Sequence, residues 1–350
     1  MAIDIFSPES LAKAVSVLPT PATFFKDTFF KTVNTHATTK VRADFYKGKR
    51  RVAPYVNEKL PTGAVKKLGY TTEDYETPLV SVKDITNAGD ILKRGFGENL
   101  FGGVTPQERA YKDLLRTMKD FNDQITRREE ISCAQAMLEG KVIVKGQGVD
   151  YEIDYGFTNK GTVSSLWDAA DSKADPIADL TAMSVACMKN GNRRPDICVM
   201  ERSAYTAFIK RCTALGYLDN KFFLNLLISP KVESENLTYC GHLNDPSIDI
   251  YVYDEWYIDD WSGAEVVEKS VMPKGKILLA STNAAFSIEY GVLTFTDENT
   301  KDFYSVEGAR AADSWVTKEP AQRFITLNSR PLPVPAEVDS WYVGTVSATE

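Results

Sequence analysis

Residues 107–139 contain neither glycine nor proline, and both ends of that run are signposted. Thr105 can act as a helix N-cap. Pro106 stands at the first helical position, where its missing N–H costs nothing. Glu108 follows three residues after the cap, so hydroxyl and carboxylate can each take the other's backbone amide. Gly140 can adopt the left-handed conformation that closes a helix. These signals predict one helix over 106–139, roughly 50 Å long from a rise of about 1.5 Å per residue. Tyr111, Leu114, Leu115, Met118, Phe121 and Ile125 give it one apolar face. The stripe then meets Arg128 and resumes at Ile131, Ala134 and Leu138 on a rotated line. That is too short a run for a coiled coil, which wants about three or four heptads. The expectation is a spine laid across a sheet, with Lys112, Asp113, Arg116, Lys119, Asp120, Asp123 and Arg127 turned to solvent.

A chain of 350 residues, 43% hydrophobic, predicts about two domains with ample core. Its net charge of -7 disfavours a protein that lives by gripping nucleic acid. The sequence holds no apolar run long enough for a membrane span, and its start lacks the basic and apolar regions of a secretory signal, so neither is expected. The five cysteines (133, 187, 198, 212 and 240) are odd in number and include no CxxC, which fits reduced core thiols in a cytoplasm.

Residues 1–35 open with a helix start at Ser7-Pro8-Glu9, which Pro19 and Pro21 end. Phe24, Phe25, Phe29 and Phe30 follow, four aromatics in seven residues that need burial, in a local core or against another chain. Over 36–85 strands are expected at 40–46, 52–56, 64–71 and 77–82. Residues 40–67 hold nine Lys or Arg against two acids, a net +7, including Lys47, Lys49, Arg50 and Arg51. With few large apolar residues, this stretch should project as an extended hairpin, marginal in water without a partner. Residues 86–105 carry five glycines. Gly95, Gly97, Gly102 and Gly103 have the wrong spacing for a nucleotide loop and suit a hinge before the rigid helix.

Beyond the spine, 141–145 and 149–155 read as a hairpin. From Asp175-Pro176 the pattern becomes α/β: helices over 177–189, 203–215 (capped by Ser203) and 217–227, and strands at 197–200, 248–258 and 277–280. These make 177–280 a second domain. Strands at 286–289, 293–296, 314–317, 324–327 and 340–346 then return to complete the sheet under the spine, so the first domain, 86–176 plus 281–350, is discontinuous. The overall class is α+β.

No catalytic constellation emerges. His36 and His242 sit on separate segments outside any metal spacing, and no nucleophile elbow or Walker loop occurs. Asp245, Asp249, Asp254, Glu255, Asp259 and Asp260 could be drawn as the metal site of a hydrolase, but their spacing matches no EF-hand loop and reads better as a charged edge strand. No cofactor or metal is expected. A DNA-binding role for Lys47–Arg51 is the other alternative.

Taken in order, these pieces resemble the lambda-type major capsid proteins of tailed phages, which have the HK97-type fold. The likeness runs through Pro21-x-x-Phe24-Phe25 with Phe29-Phe30, the hairpin and Gly-rich joint, Leu138-Glu139-Gly140-Lys141, Val149–Gly156, Trp167 and Asp175-Pro176. Its most specific piece is Ser314-Trp315-Val316-Thr317, with Pro320-Ala321, Arg323-Phe324 and Pro331-Leu332 after it. The resemblance implies an N-terminal arm (1–35), an extended loop or E-loop (36–85), a peripheral domain built on the spine, and an axial domain (177–280). It also implies self-assembly through pentamers and hexamers into the icosahedral shell of a virion, made in the host cytoplasm. The implied partners are a scaffolding protein, a portal, the small decoration protein that reinforces lambda-type shells, and double-stranded DNA packaged with non-specific contact only. In that setting Phe24, Phe25, Phe29, Phe30, Lys47, Lys49, Arg50 and Arg51 become candidates for contacts between subunits.

Overall fold

A computed structural model of the chain describes residues 21, 23–45, 52–53, 55, 71–87, 89, 105–169, 173–217, 226–260, 266–297 and 302–348. In chain order the elements are α1 (Phe25–Phe29), β1 (Thr32–Thr35), β2 (Lys40–Phe45), β3 (Thr71–Glu76), β4 (Val80–Asn87), the spine α2 (Pro106–Leu138), β5 (Lys141–Gly146), β6 (Val149–Asp154) and β7 (Lys160–Thr162). Then come α3 (Pro176–Asn190), β8 (Ile197–Met200), α4 (Arg202–Ala214), β9 (Leu226–Val232), β10 (Leu237–Leu243), β11 (Ile248–Tyr253), β12 (Trp256–Asp259), β13 (Val267–Ser270) and β14 (Lys276–Ala280). The last are β15 (Phe286–Tyr290), β16 (Leu293–Thr296), β17 (Phe303–Val306), β18 (Ala311–Lys318), β19 (Ala321–Ser329), β20 (Pro331–Pro335) and β21 (Tyr342–Thr345).

The spine begins and ends where its sequence signals place it. Glu108 N–H donates to Thr105 Oγ1 at 3.2 Å and Thr105 N–H to Glu108 Oε2 at 3.0 Å. At the far end Gly140 has φ +74°, and a Cβ there would stand 2.2 Å from Phe157 Cβ, so both the turn and the close approach of the next segment require glycine. Leu114, Met118, Phe121 and Ile125 pack onto Ala312, Ile325 and Leu327 of the antiparallel sheet β18-β19-β4. Each such burial contributes about 1.5–3 kcal/mol. Tyr111, expected on this stripe, is exposed.

The second body is a seven-stranded mixed sheet in the order β7-β21-β14-β8-β11-β10-β9. Its central strand β8 is buried at all four residues. Alternation sends Cys198 and Met200 into the core under α3 and α4, while Ile197 and Val199 enter the core shared with the second half of the spine.

Several expectations are corrected here. The strands at 286–289, 293–296 and 340–346 do not complete the spine's sheet: β15 pairs with β1 and β20, β16 pairs with β17, and β21 joins the seven-stranded sheet, antiparallel to β14 and parallel to β7. That sheet therefore draws strands from outside 177–280. β4 pairs with β19, so the end of 36–85 belongs to the spine's sheet. Helix α4 is capped by Glu201, whose carboxylate accepts from Ser203 and Ala204 N–H, and Ser203 is already inside the helix. The helix expected at 217–227 meets strand β9 from Leu226, and 218–225 lie outside the described residues. So do residues 64–70 of the strand expected at 64–71, while of the strand expected at 52–56 the described residues Val52, Ala53 and Tyr55 are not in a strand.

Candidate assembly surfaces

The N-terminal aromatics are held from beneath by two consecutive acids of the spine. Glu130 accepts the backbone N–H groups of Phe24, Phe25 and Lys26 at 2.9, 2.7 and 2.9 Å, the amides that open α1, and the Tyr253 hydroxyl at 3.0 Å. Glu129 accepts from Lys26 Nζ at 2.6 Å, Arg310 Nη2 at 3.1 Å and the Tyr290 hydroxyl at 3.1 Å. Two buried glutamates thus join α1, the spine, β11, β15 and the Arg310 loop. Burial pushes the Glu130 carboxyl up from its ordinary value, against the four hydrogen bonds that favour its ionised form.

Around this junction Phe24, Phe25, Phe29 and Phe30 are all buried, with Phe24 against Phe25 and Tyr253 and Phe30 against Phe286. This corrects their assignment as contacts to a neighbouring subunit: the rings fill the chain's own core. The short helix can sink them there because Glu130 satisfies the amides that such burial would otherwise orphan.

The root of the basic hairpin is seated in the same body. Val41, Ala43 and Phe45 of β2 are buried, and Phe45, Tyr75 and Tyr155 meet one another with ring centroids 5.8–5.9 Å apart. The outward face carries the Arg42–Asp74 pair at 2.9 Å. Lys47, Lys49, Arg50 and Arg51 themselves, and the hinge candidates Gly95, Gly97, Gly102 and Gly103, lie outside the described residues. Within the hairpin stretch, Val52 and Tyr55 are described and are almost fully exposed.

The acidic stretch forms no metal site. Among the described residues no three His, Cys, Asp or Glu side chains could hold an ion. Asp249 faces His242 at 2.7 Å, Asp259 faces Lys269 at 3.0 Å, Asp254 pairs with Arg202, and Glu255 accepts from Asn236. Nor is it an edge strand, as the sequence suggests: β11 lies between β8 and β10. Of its acids, Asp245 and Asp260 are exposed, Asp249, Asp254 and Glu255 are half-buried, and Asp259 on the separate ribbon β12-β13 is buried.

Sequence reasoning missed the outer face of the spine's sheet as a surface. The register aligns Trp315 with Phe324 and Phe324 with Ile85. The two rings stack at 5.3 Å with planes 10° apart, and Lys83 Nζ stands 5.5 Å from the centre of the Phe324 ring. Strand alternation could have found it, since the helix covers only the opposite face. His36, at the hairpin root, meets Glu289 at 2.6 Å. Among the described residues no helix is long and apolar enough to cross a membrane.

Known proteins give a consistent frame for this geometry. The family model for phage major capsid protein E matches residues 7–346. The fold is similar to that of a chain from an E. coli CFT073 prophage assigned as its capsid protein, with a TM-score of 0.66, 17% identity and 96% of each chain covered. It is also similar to a phage-related protein of Bordetella bronchiseptica RB50 (TM-score 0.50, 13% identity, 96% of each chain) and to the capsid of cyanophage P-SCSP1u (TM-score 0.50, 10% identity, 100% of this chain and 92% of that one). No curated protein sequence matches the chain significantly.

Proposed function

Because the chain belongs to the phage major capsid protein E family, whose members form shells and have the HK97-like fold, we propose that it builds the icosahedral head of a tailed phage from pentamers and hexamers of itself. The observation that carries the reading is the family match along nearly the whole chain, 7–346, over one spine, its sheet and a second α/β body. The role is structural, without a catalytic step. Assembly takes place in the host cytoplasm, with a scaffolding protein and portal as partners, and the shell encloses double-stranded DNA that it touches non-specifically.

The chemistry suits a container. A net charge of -7 keeps packaged DNA from adhering to the wall. A shell needs many moderate contacts, because ring closure multiplies each one. The basic stretch 40–67 supplies such a contact: exposed ion pairs of about 0.2–1 kcal/mol each, repeated in every subunit. In this reading 177–280 forms the axial contacts and the spine with its sheet the peripheral ones. Electron microscopy of the overexpressed chain tests the proposal. Shells, tubes or capsomers are expected, and uniformly monomeric protein at high concentration would refute it. Changing Lys47, Lys49, Arg50 and Arg51 together to Glu should leave subunit melting in place and sharply reduce shells. Undiminished assembly with lost DNA retention would instead assign the patch to DNA.

A further inference from the structure

The ribbon β12-β13 turns three large apolar side chains outward. Its register sets Trp256 opposite Ser270 and Ile258 opposite Glu268. Alternation turns Tyr257 and Asp259 towards the body, Tyr257 against the main core and Asp259 onto Lys269 Nζ at 3.0 Å. Trp256, Ile258, Asp260 and Glu268 fall on the opposite face, and Val266, one residue ahead of β13, continues it by the same alternation. Trp256 is 55% exposed, Ile258 66% and Val266 70%, with Asp260 and Glu268 exposed beside them. Three such residues on one small ribbon are more than scattered surface residues require.

This face carries one sign of charge. The cation of the ribbon, Lys269, is held on the body side by Asp259. The adjoining β9–β10 turn exposes Glu233 and Glu235 and is tied to the ribbon by Asn236, which donates to Glu255. The whole stretch 243–268 has eight acids and no Lys or Arg. Such a field repels phosphates and anionic headgroups, so neither nucleic acid nor a lipid surface fits. The body of a second copy fits poorly too, because a net charge of -7 that includes +7 in 40–67 leaves -14 elsewhere. What fits is apolar in the middle and basic at the rim. A four-residue strand such as β12 spans about 13 Å at roughly 3.3 Å per residue, the length of about two helical turns. An amphipathic helix places anchors at i, i+3 or i+4, and i+7 over that distance, one for each of Trp256, Ile258 and Val266.

We propose that the outer face of β12-β13 binds a basic amphipathic helix of a different protein, its apolar side chains on Trp256, Ile258 and Val266 and its Lys or Arg side chains on Asp260 and Glu268. The site lies within one chain, so it stands apart from the shell-forming reading.

The test titrates the unassembled, full-length chain into three fluorescein-labelled helical peptides of about 18 residues, roughly five turns. One is Leu/Lys with every Leu on one face, one is Leu/Glu in the same pattern, and one is Lys/Ser without an apolar face. Fluorescence anisotropy should show the Leu/Lys peptide binding about tenfold or more tighter than either of the others. Trp256→Ser with Ile258→Ser should weaken it about tenfold while melting holds. If that double variant melts lower, Ile258→Ser alone gives the comparison, with a smaller loss in the same direction. Asp260→Asn with Glu268→Gln should weaken binding several-fold and flatten its dependence on salt. Absent binding of the Leu/Lys peptide, equal binding of the Leu/Glu peptide, or binding undiminished in the Trp256 and Ile258 variants would overturn the proposal. Electron microscopy of Trp256→Ser with Ile258→Ser separates the remaining occupant. Undiminished shell yield is expected, and a several-fold loss from a chain that melts normally would make this face a contact between copies and overturn the proposal. A wild-type chain that forms no assembly would count against the shell-forming reading alone.

Discussion

Glu130→Gln isolates the junction under the N-terminal aromatics. The substitution keeps the shape of the side chain and removes its charge. Glu130 Oε1 accepts from Phe24 N–H, Phe25 N–H and the Tyr253 hydroxyl, and Oε2 from Lys26 N–H. A glutamine can keep the first three by placing its oxygen there, but its NH2 group then points at the Lys26 amide, donor to donor. Hydrogen bonds to a charged group contribute about 1.5–3 kcal/mol against about 0.5–1.5 for neutral ones, and a buried unsatisfied donor costs about 1–3. Burial already outweighs those bonds in setting the carboxyl, so relief from burying a charge offsets the lost charge assistance, and the orphaned Lys26 amide sets the cost. The net expectation is a destabilisation of about 1–3 kcal/mol, and at about 2 °C per kcal/mol for a chain of this size, melting falls by about 2–6 °C. The assay is melting of the unassembled chain by circular dichroism, paired with limited proteolysis to score release of the segment around Phe24–Phe30. A melting point within one degree of wild type, with that segment equally protected, would show that the carboxylate contributes no net stability to α1.

Other outcomes follow from single features. Burial raises the Glu130 carboxyl above its ordinary 4.5, so its contribution is fully present below that pH and lost as pH rises through the folded value. Glu289 is also partly buried, but hydrogen bonds from Ser287, His36 and Asn34 hold it below 4.5, so its contribution is present above that pH and lost as pH falls. Glu130→Gln and Glu289→Gln should therefore change the slope of stability against pH in opposite senses; slopes of the same sign in denaturant titrations would contradict this. Gly140→Ala places a Cβ on Phe157 at a positive φ and should cost about 2–4 kcal/mol, read as a lowered denaturation midpoint. Replacing Gly102 and Gly103 together by Val should give aberrant or open assemblies if the joint before the spine must take several angles; normal shells in normal yield would remove the hinge.

What could be read in the sequence was what local chemistry decides. The spine's limits are written in Thr105, Pro106, Glu108 and Gly140, all within one turn of the ends they mark. Strand β8 was legible as a continuous apolar run of the right length. Strands β1, β7 and β20 were not: β1 is exposed at every residue, β7 has three residues, and β20 reads Pro-Leu-Pro-Val-Pro. Their pairing partners lie far away in the chain, β1 and β7 beside β15 and β21, and nothing local announces them. The four phenylalanines announced that they must be buried but not by what, since the hydrophobic effect carries no direction.

The spine's apparent break at Arg128 shows how a polar residue can hide a core position. Met118, Phe121, Asn122, Ile125, Thr126, Glu129, Glu130, Cys133 and Ala134 are all buried, and they recur at the three- and four-residue spacing of a single helix face. The stripe does not stop and restart on a rotated line; it runs on through an amide, a hydroxyl and two carboxylates. Arg127 is exposed and Arg128 only partly buried. Extending the Ile125 line by four residues lands on Glu129, and the Thr126 line on Glu130. An acid at such a position must find donors, because an unpaired buried charge costs several kcal/mol. Here Lys26, Arg310, Tyr290, Tyr253 and three amides of the N-terminal segment supply them. Periodicity carried through the polar residues was the signal that could have located this junction. In the fold, the donors that Glu130 requires are the amides that open the helix bearing Phe24–Phe30, and so the junction ties those rings to the spine of the same chain.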